Sequence, residues 1–405
     1  MTDPRPSGSR LLTGSRAAPV ASKPATARPR AGRVPEAQFA RERLVHAGAR
    51  VLLASDAPAR PGIDELERFV DWEGTWNLRR RLAGQGLALA EGLDLVQREA
   101  IGWPVMQRLI SDHAREVPGT AFLVGVTADH LPPGRPVEDL VEGVAHQAGV
   151  VEESGGVPVL LPLRLLARRR ATEDEHVEVY RSILERLGGP VLIDWTGSAR
   201  LASFEGSFPG QSFERVMALD PAKVRGARMT WLDARVVVRV RRALAERGQL
   251  AFTGDDPLLV RWLAGGHPGA GEPEPAPTTG TTELAGAPAS TGEFAHAALD
   301  LLEVGGPALV PALEALATGA GAAFRAQLEP LEALVRWILT VPARLPSAIA
   351  FIARLDGQDP GVRYVGDGDA PALGPDESRR LHELAAAAGL FADPVEAGRR
   401  LADGG

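Results

Sequence analysis

Seven short apolar segments recur along the chain: VLLAS at 51–55, LALAE at 87–91, AFLVGV at 121–126, VPVLLPL at 157–163, PVLID at 190–194, ARMTW at 227–231 and LAFTG at 250–254. Their starts lie 36, 34, 36, 33, 37 and 23 residues apart. They are too short and too continuously apolar for surface helices and read as strands buried on both faces. Helical patterns separate them. In EDEHVEVYRSILERLGG, 173–189, Val177, Tyr180, Ile183, Leu184 and Leu187 form one stripe that ends at Gly188. The stretch from Asp233 to Gly248 repeats the design with Val236, Val240 and Leu244. A strand and a helix alternating at this period imply parallel strands joined by helical crossovers.

The pattern predicts an α/β protein, a closed (β/α)8 TIM barrel with a C-terminal helical extension. The eighth strand is expected in FAHAALDLL, 294–302, after a Pro/Gly/Thr/Glu stretch at 268–293 that has no periodicity and reads as a disordered insertion on the inert face. Residues 1–40 read as a disordered basic Pro/Ala/Arg-rich tail, 41–304 as the barrel, and 305–405 as a helical region. In that last region Gly389 stops one helix, and Asp393, Pro394 and Glu396 look like the N-cap, first-turn proline and N3 acid of the next. An open doubly wound sheet is the rival fold. It lacks the G-x-G-x-x-G turn after the first strand; the nearest glycine cluster, GGHPGAG at 265–271, opens the insertion.

Composition narrows the function. A chain of 405 residues with 44% hydrophobic side chains can bury a full core, and zero cysteines remove disulfides, thiolate metal sites and cysteine nucleophiles together. The absence of cysteine fits a reducing, cytoplasmic setting. The net charge of -7 opposes general nucleic-acid binding, the more so because residues 1–40 carry seven basic and two acidic side chains, leaving about -12 for the rest. No window is apolar enough for a membrane span. The expected partner is therefore a small-molecule substrate, with neither nucleic acid nor membrane.

In a barrel the chemistry comes from the C-terminal ends of the strands. Those positions hold Ser55 and Asp56, Glu91, Thr127 with Asp129 and His130, Arg164, Asp194, Arg228 with Thr230, and Thr253 with Asp255 and Asp256. Asp56, Asp129 and Asp256 also suit the role of caps for the following helices. Asp194 and Arg228 stand inside or at the end of apolar strands, where a charge is costly unless paired or facing a cavity. Metal ligation by His130 with Asp194, Glu91 or Asp255 is chemically open to magnesium, manganese or zinc, although no two histidines have metal-ligand spacing. No other cofactor is implied. The arginine runs at 79–81 and 168–170 read as solvated helix faces.

The order of GARMTWLDA at 226–234, FTGDD at 252–256, VPARLPSAIAFIARLDGQDPGVR at 341–363 and LGPDESRRLHELAAAAGL at 373–390 resembles that in dihydrodipicolinate-synthase-like aldolases. The stretch VDWEGTWNLRRRLAGQGLALAEGLDLVQRE at 70–99 is similar to an uncharacterised bacterial branch of that superfamily. The resemblance implies a (β/α) barrel with C-terminal helices, often tetrameric. It also implies a lysine on strand six that forms a Schiff base with a 2-oxo acid, a tyrosine after strand five and a threonine turn after strand two. Here the lysine position falls on Arg228, the tyrosine position on Asp194, and the threonine turn on Leu89, Ala90, Glu91 and Gly92. Arg200 is one position off the family's arginine.

A guanidinium keeps its proton and cannot supply the free amine of imine formation. The chain has two lysines, Lys23 in the tail and Lys223 three residues before Gly226, at the start of strand six. The expectation is a barrel that binds a small anionic or carbonyl compound, 2-oxo-acid-like, with lyase or aldol-type chemistry that does not use a Schiff base. Asp194 and Glu91 are the candidate catalytic groups, and Arg228, Thr230, Asp255 and Asp256 the candidate substrate contacts. The alternative is a non-catalytic barrel that kept the fold as a ligand-binding or partner-binding protein.

Overall fold

A computed structural model of the chain describes residues 43–58, 60–132, 134–200, 202–264, 294–318, 320–358, 363–366 and 371–403. The expected tail and the whole of the expected 268–293 insertion lie outside them. Eight parallel strands close into a barrel in the order β1 (Val45–Gly48), β3 (Ala88–Glu91), β4 (Phe122–Val126), β5 (Val157–Leu160), β6 (Val191–Thr196), β7 (Val224–Thr230), β8 (Leu250–Thr253) and β9 (His296–Leu299). A two-residue strand β2 (Leu52–Leu53) pairs antiparallel with β10 (Arg363–Tyr364) outside the ring. The ring shuts where β1 and β9 align Val45 with Ala297 and Ala47 with Leu299.

Seven of the eight wall strands fall where the apolar pattern puts them. The first does not. VLLAS at 51–55 supplies β2, and the wall strand is the less apolar VHAG before it. Val51, Leu52 and Leu53 are buried, but β2 pairs with β10 of the C-terminal region. An apolar run reports burial, and burial under a packed extension gives the same signal as burial in the wall. Ser55 and Asp56 consequently lie beyond a side ladder and do not directly follow a wall strand.

Side chains alternate across each strand, so one set fills the ring and the other meets the helices. Ala90, Leu123, Val159, Leu192, Phe252 and Ala298 pack together as the interior cluster. Below them His46 and His296 flank Phe252, with ring centroids 5.8 and 5.1 Å away. The backbone N–H of Leu44 donates to His296 Nδ1 at 3.0 Å, which requires that nitrogen to be unprotonated.

The outer set meets helices, and here buried arginines bind the layers together. Arg79, on the helix Trp72–Gly84, is fully buried and donates through Nε and Nη2 to Glu91 at 2.8 and 2.7 Å, and to the carbonyls of Ala49, Arg50 and Thr75. The expectation that 79–81 is a solvated face therefore fails at Arg79, whose position on the helix turns it toward the wall. Arg50 donates to Glu303 from Nε at 2.9 Å, and its guanidinium lies 3.3 Å from the ring centre of Tyr364, tying the C-terminal region to the start of the barrel.

After the helix Leu302–Ala317 come Gly321–Leu339, Leu345–Leu355, Pro375–Ala387 and Pro394–Ala402. The last is capped by Asp393, which accepts from Val395 and Glu396 N–H at 3.0 Å each. No single helix among the described residues is long and apolar enough to cross a membrane.

Burial pushes His46 down to about 4 and His296 down to about 3 from the ordinary 6.5. A base held neutral in the fold contributes stability above its unfolded pKa, and that contribution drains away as pH falls from 6.5 toward those values. Urea titrations below about pH 6.5 should show the unfolding free energy falling by about 1.4 kcal/mol per pH unit for each histidine. His296→Gln, which keeps an acceptor for Leu44, should remove one histidine's share of that slope.

Candidate functional site

The C-terminal mouth of the ring is built mainly by β6 and β7. Their register sets Asp194 opposite Arg228 and Thr196 opposite Thr230, and all four line one small cavity. Arg228 Nη1 donates to Asp194 Oδ1 at 2.8 Å, and its Nε donates to the Ala298 carbonyl at 3.3 Å. Thr196 Oγ1 donates to the other Asp194 oxygen at 2.8 Å. Asp194 is 1% and Arg228 5% exposed, so the two charges stand where neither is tolerable alone.

Burial raises Asp194 above the ordinary carboxylate value, while Arg228 and Thr196 hold it back. Burial opposes the charge on Arg228, but Asp194 outweighs it, helped by Asp300 and Asp255, and Arg228 is raised. The guanidinium is charged in every state of the site.

Room for that guanidinium depends on a glycine. A Cβ at Gly254 would fall 2.5 Å from Arg228 Nη2 and 2.1 Å from Thr230 Oγ1, the atom to which the Gly254 N–H donates at 2.9 Å. A matching gap exists at Gly48, where a Cβ would fall 1.9 Å from Asp300 Oδ1. Two rim glycines thus leave space for one cation and one carboxyl.

The rest of the rim comes from loops. Asp94 caps the helix Leu95–Glu116, accepting Val96 and Gln97 N–H at 2.9 and 3.0 Å, and its other oxygen accepts from Arg200 at 2.6 Å. Asp255 accepts the N–H groups of Asp300 and Leu301 at 2.8 and 3.1 Å. Burial raises Asp255, with those N–H groups and Arg228 pulling the other way. Burial also raises Asp300, and the neighbouring Asp255 and Asp94 push it further, well above the ordinary range. Phe204 and Leu345 also line the cavity, whose volume is about 20 Å³. Leu345 belongs to the C-terminal helical region, so that region reaches the site.

The structure brings Asp194, Arg228, Thr230 and Asp255 together. It does not bring Glu91 or Asp256. Glu91 points to the outer face of β3 and is spent on Arg79, because it sits one residue out of phase with the inward Ala90. Asp256 accepts from Trp231 N–H and Leu258 N–H at 2.8 Å each and from the Trp262 indole at 3.3 Å, bracing the loop after β8 as a cap does.

His130 accompanies Gln147, Asp129 and His146 in the helix layer, around Arg98. Among the described residues no group of three or more His, Asp or Glu is placed to hold a metal ion. The Lys223 ammonium donates to the carbonyls of Leu184 and Leu187 at 2.7 and 2.9 Å, just ahead of β7.

Three rim residues escaped the sequence reading. Asp300 continues the inward phase of His296 and Ala298 at a period of two, a signal present in the segment 294–302. Asp94 carries no sequence signal beyond that of a helix cap, and Arg200, one position off the family's arginine, does line the cavity.

The fold of this chain is similar to that of solved dihydrodipicolinate synthases and N-acetylneuraminate lyases. The synthase from Oceanobacillus iheyensis superposes with a TM-score of 0.59 at 16% identity, over 87% of this chain and 98% of that one. The N-acetylneuraminate lyase from Fusobacterium nucleatum, solved with pyruvate, gives 0.58 at 15% identity, over 87% and 98%. The synthase from Agrobacterium tumefaciens str. C58 gives 0.57 at 15% identity, over 85% and 99%. At such identities the likeness is one of fold. The chain belongs to the family described as "Protein of unknown function (DUF993)", whose model matches residues 20–403. No curated protein matches it significantly.

Glu91→Ala should destabilise the protein by about 3–5 kcal/mol in urea titrations, as removing one partner of a buried pair does. It should leave ligand affinity at the mouth unchanged, which separates the wall pair from the site.

Proposed function

We propose that this barrel binds a small carboxylate-bearing carbonyl compound, of the 2-oxo-acid type, at its C-terminal mouth and supports lyase or aldol-type chemistry by proton transfer, without an imine. The observation that carries this reading is the buried Arg228–Asp194 pair on adjacent strands at the cavity wall. Arg228 stands where the resemblance places a Schiff-base lysine. It offers two-point recognition of a carboxylate in place of a nucleophilic amine. Lys223 supports the same conclusion, its ammonium being tied to two carbonyls ahead of β7.

Asp194 is the group to move a proton, since burial lifts its pKa toward the range useful for general acid–base work. Thr230 and Asp255 complete the contacts. A cavity of about 20 Å³ has room for about one water, so admitting a substrate requires the wall carrying Arg200, Phe204 or Leu345 to give way.

A second reading, a ligand binder without turnover, draws support from Arg228 itself, whose guanidinium already satisfies Asp194 and the Ala298 carbonyl. A homo-oligomer and a cytoplasmic setting remain part of the proposal.

Borohydride treatment with pyruvate, read by intact mass, is expected to leave the protein unmodified; a covalent adduct at Lys223 would overturn the imine-free mechanism. Arg228→Ala should weaken pyruvate binding at least about tenfold in calorimetry, the loss of one charge-assisted contact; unchanged affinity would remove Arg228 from the site. Turnover of 2-oxo acids decides between the two readings.

A further inference from the structure

The loop after β6 borders two spaces. Arg200 and Phe204 line the small cavity at the mouth, and Phe204, Glu205 and Ser207 line an open groove of about 360 Å³, which Trp195 on β6 and Trp231 and Asp233 after β7 complete. Trp195 alternates with the inward Asp194 and Thr196, so it belongs to the outer face of its strand. The groove has the volume of a small-molecule site, for which about 300–1,000 Å³ is usual.

Trp231 is held there at a cost. Its φ of 58° is left-handed, a region that glycine occupies freely and a bulky side chain only when its surroundings impose it. Two contacts do so. Asp256 accepts the Trp231 N–H at 2.8 Å, and Gly197 brings the loop after β6 so close that a Cβ there would fall 2.1 Å from the Trp231 carbonyl oxygen. A glycine at 231 would remove the strain, so what the tryptophan adds is its indole. Among the described residues the indole Nε1–H is buried without a hydrogen-bond partner, and so is the Ser207 hydroxyl. A buried donor left unpaired costs free energy that an acceptor brought to it would recover.

Charge selects the acceptor. No lysine or arginine lines the groove among the described residues, and the carboxylates of Glu205 and Asp233 stand exposed on it. An anion is therefore disfavoured. An ammonium compound suits carboxylates and indole faces but gives an N–H donor nothing to bond. A sugar ring meets every group: its oxygens accept from the indole and the serine, its hydroxyls donate to the carboxylates, and its C–H face packs on indoles.

We propose that this groove is a second binding site, for a neutral sugar, independent of the anion site at the mouth. Trp195 and Trp231 supply the stacking surface, and Trp195 is braced for it by Phe213, with ring centroids 4.5 Å apart. Trp231 Nε1–H and the Ser207 hydroxyl are the donors. Glu205 and Asp233 are the acceptors; Asp233 Oδ1 caps the helix Ala234–Glu246 through the Arg235 N–H at 2.8 Å, which leaves Oδ2 for the ligand. No covalent bond is made or broken there.

Calorimetric titration of the full chain with glucose, galactose, mannose, maltose and cellobiose should show binding of at least one, with a Kd of about 1 mM or tighter. Tetramethylammonium should not bind. Trp231→Phe keeps a ring and deletes the N–H, and should weaken the sugar about three- to tenfold, as should Ser207→Ala. Trp231→Gly removes the indole while relieving the backbone, and should abolish binding with the circular dichroism spectrum unchanged.

Binding of none of these sugars overturns the proposal. So does binding of tetramethylammonium in their place, or a sugar affinity that the Trp231 variants leave unchanged; Trp231→Phe decides if the glycine variant does not fold. Each outcome leaves the reading of the mouth untouched, since pyruvate enters none of these measurements.

Discussion

The mouth of this barrel is organised by the cost of a buried charge. Arg228 is nearly inaccessible on an apolar strand, and it can be there because the register of β6 and β7 sets Asp194 directly across from it. The remaining features follow from that pairing. Gly254 leaves room for the guanidinium, the Ala298 carbonyl takes a second donor, and Thr196 satisfies the carboxylate oxygen that Arg228 does not reach. Replacing either partner by a neutral residue would strand the other in a medium that cannot solvate it.

The same economy operates outside the ring. Arg79 with Glu91, Arg98 with Asp129 and Arg50 with Glu303 are ion pairs that join helices to a wall strand or to the loops that follow wall strands, each with little or no exposure of the arginine. A chain with 45 basic residues, of which lysine supplies two, uses the planar guanidinium as an internal tie. Arginine suits this work better than lysine because its fork can bond a carboxylate and several carbonyls at once, as Arg79 does.

Periodicity made the ring legible because each strand and helix carries its own burial signature in a few consecutive residues. The one misplaced strand shows the limit of that signal: Val51 to Leu53 are buried, but their partner is more than 300 residues away in sequence, at Arg363 and Tyr364. The site was legible where charge broke an apolar strand, at Asp194 and Arg228, and at the strand ends that follow, at Thr230 and Asp255. Glu91 shares that sequence feature and differs only in which way it points, which a phase count against Ala90 would have exposed. Asp94 and Arg200 depend on loop geometry that no local pattern encodes, whereas Asp300 follows the period-two phase of His296 and Ala298.

Leu345 has a wider implication. One wall of the cavity is donated by a helix lying about 45 positions beyond the last barrel strand, anchored back to the opening segment through Arg50 and Tyr364. The lining of the mouth is therefore not supplied by the ring alone. Excising the bundle would remove Leu345 from the cavity lining, so the helices count as part of the working unit, not as an appendage to it.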